Sequence, residues 1–227
     1  MDHYTLNPEK FSLQLFYELS ASKKMIPSRA MLQEGIKAHF DILEKKGILN
    51  LDQLIRALGN KEKIAAMALE TGIPENYLVL LKREAGSYLS KPFPLSNFPG
   101  IPLEYTEVLK TRGIRNTREF FESAQSPEQR NIISQQTGIP EERLRELFSL
   151  CELSRIIGVG AFYARIIYHA GIKSLLEFAK TDPATHNELY MAILDRFGYS
   201  VKALGEEDLQ YCINYTTLLL ELNLESS

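Results

Sequence analysis

The sequence predicts an all-α fold built from about three repeated helical units. Two internal repeats and a recurring cap predict it. Thr71-Gly72-Ile73-Pro74-Glu75 returns as Thr137-Gly138-Ile139-Pro140-Glu141, a shift of 66 residues. Gly47-Ile48 returns at Gly113-Ile114 by the same shift, and again at Gly171-Ile172. Three residues after each of these glycines stands a helix N-cap, Asn50, Asn116 or Ser174. Three further on is Gln53, Glu119 or Glu177, the spacing of a capping box. No segment reads as a strand. The alternating stretch Tyr199 to Leu204 is too brief to overturn the helical pattern.

Taken in chain order, residues 1–25 form an N-terminal helical extension. Asn7 is placed as its cap and Pro8 at the first helical position, with Phe11, Leu15, Tyr17 and Leu19 among its apolar residues. The first unit covers 26–90, the second 91–153 and the third 154–227. The second shows the script most fully. A helix from Leu103 to Arg112 ends at Gly113, free to take the left-handed conformation. A capped helix runs from Thr117 to Ala124. Ser126-Pro127 starts another with Gln129 closing a box, and it stops at Gly138. Pro140 opens a fourth, with Leu144, Leu147, Phe148 and Cys151 on one face. Residues 36–89 follow the same script. The third copy loosens after Asp182-Pro183, where Gly198 matches Gly138 only loosely. Ser90-Lys91-Pro92-Phe93-Pro94 is an extended connector.

Composition narrows function further. The 227 residues are 44% hydrophobic, enough to supply a core, and carry a net charge of −3. With pI near 5.9 there is no global basic signal for nucleic acid. There is no charged-then-apolar leader and no apolar run of membrane-spanning length, so a cytoplasmic protein without membrane contact is expected. Cys151 and Cys212 sit on apolar segments away from any second ligand and read as buried thiols.

No enzyme is expected. His3, His39, His169 and His186 are scattered, and His169 reads as a helix-terminal residue whose charged form the helix end favours. Glu206-Glu207-Asp208 reads as acids at a helix start. No cofactor, metal or small-molecule substrate is implied, since Gly158-Val159-Gly160 lacks the third glycine and preceding strand of a dinucleotide fingerprint.

The passage Ile156-Ile157-Gly158-Val159-Gly160-Ala161-Phe162-Tyr163-Ala164-Arg165-Ile166-Ile167 carries the most specific pattern. Its Gly-Val-Gly turn, the small Ala164 and the pair Ile166-Ile167 resemble the helix-hairpin-helix motif of DNA repair, recombination and replication proteins. With the three Gly-Ile junctions and two Thr-Gly-Ile-Pro-Glu motifs, the chain is similar, from about 25 onward, to an uncharacterised, mostly bacterial group of tandem helix-hairpin-helix proteins. The resemblance implies a SAM-like helix-hairpin-helix architecture. It also implies a non-enzymatic binding module whose hairpin amides hold phosphate oxygens of DNA or RNA without reading sequence.

The residues implied in that contact are Gly158, Val159, Gly160 and Ala161, with Arg155, Arg165 and Lys173 in support. Residues 154–180 carry four basic residues and one acid. Departures from the family pattern favour the alternative, a protein-interaction scaffold. Ala161 and Phe162 stand where a cation would help, and the second copy reads Pro99-Gly100-Ile101-Pro102. The first keeps only Gly35-Ile36-Lys37. Residues 181–227 carry eight acids against two basic residues, which would repel nucleic acid. The run Lys110, Arg112, Arg115, Arg118 suits either a phosphate backbone or a solvated helix end.

Overall fold

The computed structural model describes residues 4–23, 25, 27–198 and 205–224. The alternating stretch Tyr199 to Leu204 and His3 lie outside them. Among the described residues the secondary structure is helical, and the only extended pairings are two isolated bridges, Ser12 with Asn50 and Pro94 with Asn116. The chain divides into two compact units, one of Leu6–Leu89 and one of Met1–Thr5 with Ser90–Ser227.

The unit of Leu6–Leu89 holds five α-helices: α1 (Leu13–Ser22), α2 (Ile36–Lys45), α3 (Leu51–Ala57), α4 (Lys61–Thr71) and α5 (Glu75–Ser87), with a 3-10 turn over Pro27–Gln33. The first helix does not begin at Asn7 and Pro8 as the sequence predicts. It begins at Leu13, capped by the Ser12 hydroxyl. The Asn7 side chain instead accepts from the Glu9 N–H, a local turn. Pro8 and Phe11 present their carbonyls to the Asp52 and Leu51 N–H groups at the start of α3. A distant helix start thus takes the carbonyls that a local helix would have used. Phe11, Phe16, Phe40 and Tyr88 form an aromatic core, with Phe16 centred 5.6 Å from both Phe40 and Tyr88. Glu84 is fully buried and is balanced by Lys23 and Arg29.

The second unit holds α6 (Leu103–Thr111), α7 (Thr117–Ser123), α8 (Pro127–Thr137), α9 (Glu141–Leu153), α10 (Ala161–His169), α11 (Leu175–Phe178), α12 (Pro183–Arg196) and α13 (Glu206–Leu224). Helix α9 lies at its centre, packed on α7, α8 and α10. It buries Leu144, Leu147 and Cys151 as the stripe predicts, and also Leu150 and Leu153. Phe148 is half-buried and stacks on Phe121. Cys151 and Cys212 are both buried free thiols.

The repeated sequence marks repeat at atomic detail. Gly47, Gly113 and Gly171 have φ of 82°, 81° and 90°. In each case the following isoleucine donates back to a carbonyl five residues earlier: Ile48 to Leu43, Ile114 to Leu109 and Ile172 to Ile167. That is a Schellman stop, and each isoleucine is buried. Asn50, Asn116 and Ser174 then cap α3, α7 and α11. Their partners differ from a simple capping box. Gln53, Glu119 and Glu177 accept from Leu49, Arg115 and Lys173, one residue before the cap. Among the described residues, Ser126 and Gln129 make the reciprocal box.

The Thr-Gly-Ile-Pro-Glu motif is likewise one device used twice. Gly72 and Gly138 end their helices at φ 73° and 72°. The preceding threonine hydroxyl accepts from the isoleucine N–H, 3.3 Å away in both. Asp182 caps α12, with Pro183 at its first position.

Candidate nucleic-acid interface

Two helices flank the Gly-Val-Gly turn. α9 ends at Leu153 and α10 begins at Ala161. Gly158 takes φ 75°, which an L side chain resists, so glycine is required there. Val159 is buried and pins the turn, its N–H donating to the Ile156 carbonyl. Gly158 and Gly160 are exposed, and an added Cβ at either would meet open space. Gly160 is the N-cap of α10 and no side chain caps the helix. The first backbone bond closing it is Ala164 N–H to Gly160 carbonyl. The start of α10 is therefore an open, partly positive helix end.

The cations expected around it are placed differently. Arg155 is 6% exposed, donates from Nε to the Tyr4 carbonyl at 2.7 Å and lies 4.4 Å over the Phe121 ring. Arg165 is 4% exposed and pairs with Glu146 on α9. Both face the interior of the unit. Lys173 is exposed, with Nζ 6.0 Å from the Tyr168 ring. Ala161 and Phe162 are half-buried, the Phe162 ring meeting Tyr163 edge-on at 5.6 Å.

The basic run of the second copy is committed within the chain. Lys110 pairs with Glu107 and Arg115 with Glu119. Arg112 donates to the Gln136 carbonyl at the end of α8, and Arg118 lies 5.3 Å from the Tyr4 ring. Helix-end and ring contacts therefore account for residues that the sequence left open to phosphate.

The ionisable groups follow their surroundings. Burial pushes the Cys151 thiol well above its ordinary range. The His169 ring lies tilted against Phe197 at 4.7 Å, and partial burial, with Arg165 adding to it, pulls its pKa below the usual value. The charged form is not favoured there, contrary to the helix-end expectation. Partial desolvation outweighs the dipole. A depression of about 140 Å³ between α1 and α2 is lined by Tyr17, Lys37, Asp41 and Glu44 among others. No group of His, Cys, Asp or Glu that could hold a metal occurs among the described residues. No helix among them is long and apolar enough to cross a membrane.

Glu146 and Glu152 escaped the sequence, where Gly100 reads only as a departed copy of the hairpin. Glu146 on α9 receives both Arg143 and Arg165. Gly100 lies against Arg165, and Glu152 accepts from the Leu175 N–H at the start of α11. The Arg-x-x-Glu spacing of Arg143 and Glu146 is a legible helical pair. The Arg165 contacts link residues distant in sequence and leave no local mark.

Among the described residues the second unit is thus all-helical, and its glycine turns include those at Gly100 and at Gly158 to Gly160. A family model described as a domain of unknown function (DUF4332) matches residues 99–193. The matched span begins beside Gly100, includes both turns and ends within α12. No curated protein and no solved structure matches the chain.

Proposed function

We propose that the protein is a non-enzymatic, cytoplasmic binding module of tandem helix-hairpin-helix-like units. Its repeats follow the divisions 26–90, 91–153 and 154–227, and the third hairpin binds the phosphate backbone of DNA or RNA. The open start of α10 carries this reading. Two exposed glycines and a helix start without a side-chain cap leave the Gly160 and Ala161 amides with no acceptor among the described residues, an arrangement suited to a phosphate oxygen. Gly158, Gly160 and Ala161 supply the cradle amides, Val159 pins the turn beneath them, and Lys173 is the exposed cation among Arg155, Arg165 and Lys173. Arg155 and Arg165 hold the turn from behind.

Contacts of this kind weaken steeply with salt, because each neutralised phosphate releases condensed counterions. Duplex and single-stranded DNA titrated at low and moderate salt should bind at low salt, with affinity falling as salt rises. Ala161→Asp, which sets an acid at the helix start, should weaken binding. Absence of binding at low salt overturns the proposal.

The second reading is a protein-interaction scaffold without nucleic-acid binding. The inward turn of Arg155 and Arg165 favours it, since the hairpin rim is open without being strongly basic. A defined dimer by solution mass, with no affinity for DNA, is the outcome it expects.

A further inference from the structure

The depression of about 140 Å³ between α1 and α2 has an aromatic wall and an acidic rim. Tyr17 from α1 and Phe40 from α2 meet in it, their ring centroids 5.5 Å apart and their planes tilted by 55°. Phe40 is buried, whereas Tyr17 is half-buried and keeps ring surface open to the depression. Asp41 and Glu44 line the same space from α2, three residues apart and so neighbours on one helix face. Core packing accounts for the rings and leaves the acids unexplained. Glu44 stands in the last turn of α2, where the helix dipole disfavours a carboxylate, and makes no ion pair among the described residues.

Lys37 already brings a cation to this rim. Its Nζ lies 3.1 Å and 3.0 Å from the two Asp41 carboxylate oxygens. The Asp41 bond holds the Lys37 pKa above its ordinary value, and the Glu44 charge adds to the rise. Both acids therefore act on one cation. The Lys37 side chain is 72% exposed, so the pair is a surface one that holds it loosely and can exchange. With Lys37 counted the lining carries one net negative charge, and without it two. Phosphate is repelled by such a rim.

We propose that this depression is a binding site for a guanidinium group, carried by a small molecule or by an arginine side chain. The planar cation stacks on the Tyr17 ring while its N–H edges donate to Asp41 and Glu44, and the Lys37 ammonium gives way as it enters. A flat cation with donors around its edge satisfies a ring face and two carboxylates together, which a compact ammonium does less well. The volume suits a small headgroup, since pockets for drug-sized ligands begin at about 300 Å³. The site lies in the unit of Leu6–Leu89 and does not rest on the function proposed for the α10 start.

The full-length, isotope-labelled protein titrated with methylguanidinium at constant ionic strength provides the test, with neutral methylurea and methylammonium as controls. Saturable shifts of the Tyr17 ring and the Asp41 and Glu44 carboxyl resonances are expected, with a dissociation constant of roughly 1 mM. Methylammonium should bind more weakly and methylurea should leave these resonances unmoved. Asp41→Asn and Glu44→Gln should each weaken binding about threefold, and Lys37→Met, which removes the resident competitor, should tighten it about threefold. These substitutions sit outside the core, and the amide spectrum of each variant checks that the fold is kept. No saturable shift in wild type or in Lys37→Met, or equal response to methylurea or methylammonium, overturns the assignment. So does a Lys37→Met protein that binds no more tightly than wild type.

A Gly-Arg-Gly peptide with blocked termini forms the second arm. Tighter binding than methylguanidinium at the same resonances assigns the group to an arginine of a protein. Binding of methylguanidinium without the peptide assigns it to a small molecule.

Discussion

Glu152 does for α11 what a main-chain carbonyl does for α3 and α7. The first amide of α3, Leu51 N–H, donates to the Phe11 carbonyl, and that of α7, Thr117 N–H, to the Phe93 carbonyl. The first amide of α11, Leu175 N–H, donates to the Glu152 carboxyl at 3.3 Å. Burial raises the Glu152 pKa, against the opposing pull of the Leu175 bond and the Arg155 charge, while the Glu177 charge adds to the rise. The folded state therefore binds its proton more tightly than the unfolded state does. The group's stabilising contribution is complete below the unfolded carboxyl value and is lost as pH rises through the raised folded value. Glu152→Gln keeps an acceptor and removes the charge. It should flatten the fall in stability across that window and raise the melting temperature at neutral pH. Glu152→Ala strands the Leu175 amide and should cost about 1–3 kcal/mol. Thermal melts of both variants from acid to neutral pH check the pair, and a Gln variant melting below wild type at neutral pH contradicts the account.

Among the helices, the repeated caps have measurable worth. Asn116→Ala should cost about 1 kcal/mol by chemical denaturation, and Asn50→Ala and Ser174→Ala about the same. Such agreement among three separated helix starts would reflect their common capping geometry. These caps were legible in the sequence because each is a local device, a side chain and an amide three residues apart. The Schellman glycines were legible for the same reason. What the sequence hid is long-range. Asn7 and Pro8 satisfy a local rule for a helix start, yet the chain there gives its carbonyls to α3 and the helix waits until Ser12. Arg155 and Arg165 read as basic rim residues because composition carries no direction. Their inward turn depends on Tyr4 and Glu146, which lie 151 and 19 residues away. The glycine turn was thus readable and its electrostatic rim was not.

Across the whole chain, the first described residues belong with the unit of Ser90–Ser227, although residues 6–89 form the other unit. Tyr4 is fully buried there, its hydroxyl 2.6 Å from the Thr117 hydroxyl and its carbonyl taking the Arg155 Nε–H. The Thr5 hydroxyl accepts from Ser90 N–H at 2.9 Å, and its carbonyl accepts from Asn223 on α13 at 3.1 Å. One short segment thus joins α7, the end of α9 and α13. Without it, Arg155 keeps its charge in a buried place and loses its carbonyl, a change more costly than an ordinary surface truncation. Tyr4→Phe should cost about 1 kcal/mol through the lost Thr117 bond. Tyr4→Ala should cost about 3–5 kcal/mol, as removal of a buried aromatic does. Deletion of residues 1–5 should lower hydrogen-exchange protection in α7, α9 and α13 and leave α1 to α5 unchanged. Uniform loss along the chain, or no loss in α7 and α13, would contradict the role assigned to Tyr4 and Thr5. The selective pattern would establish that the second unit is completed by residues some 85 positions before its main segment begins.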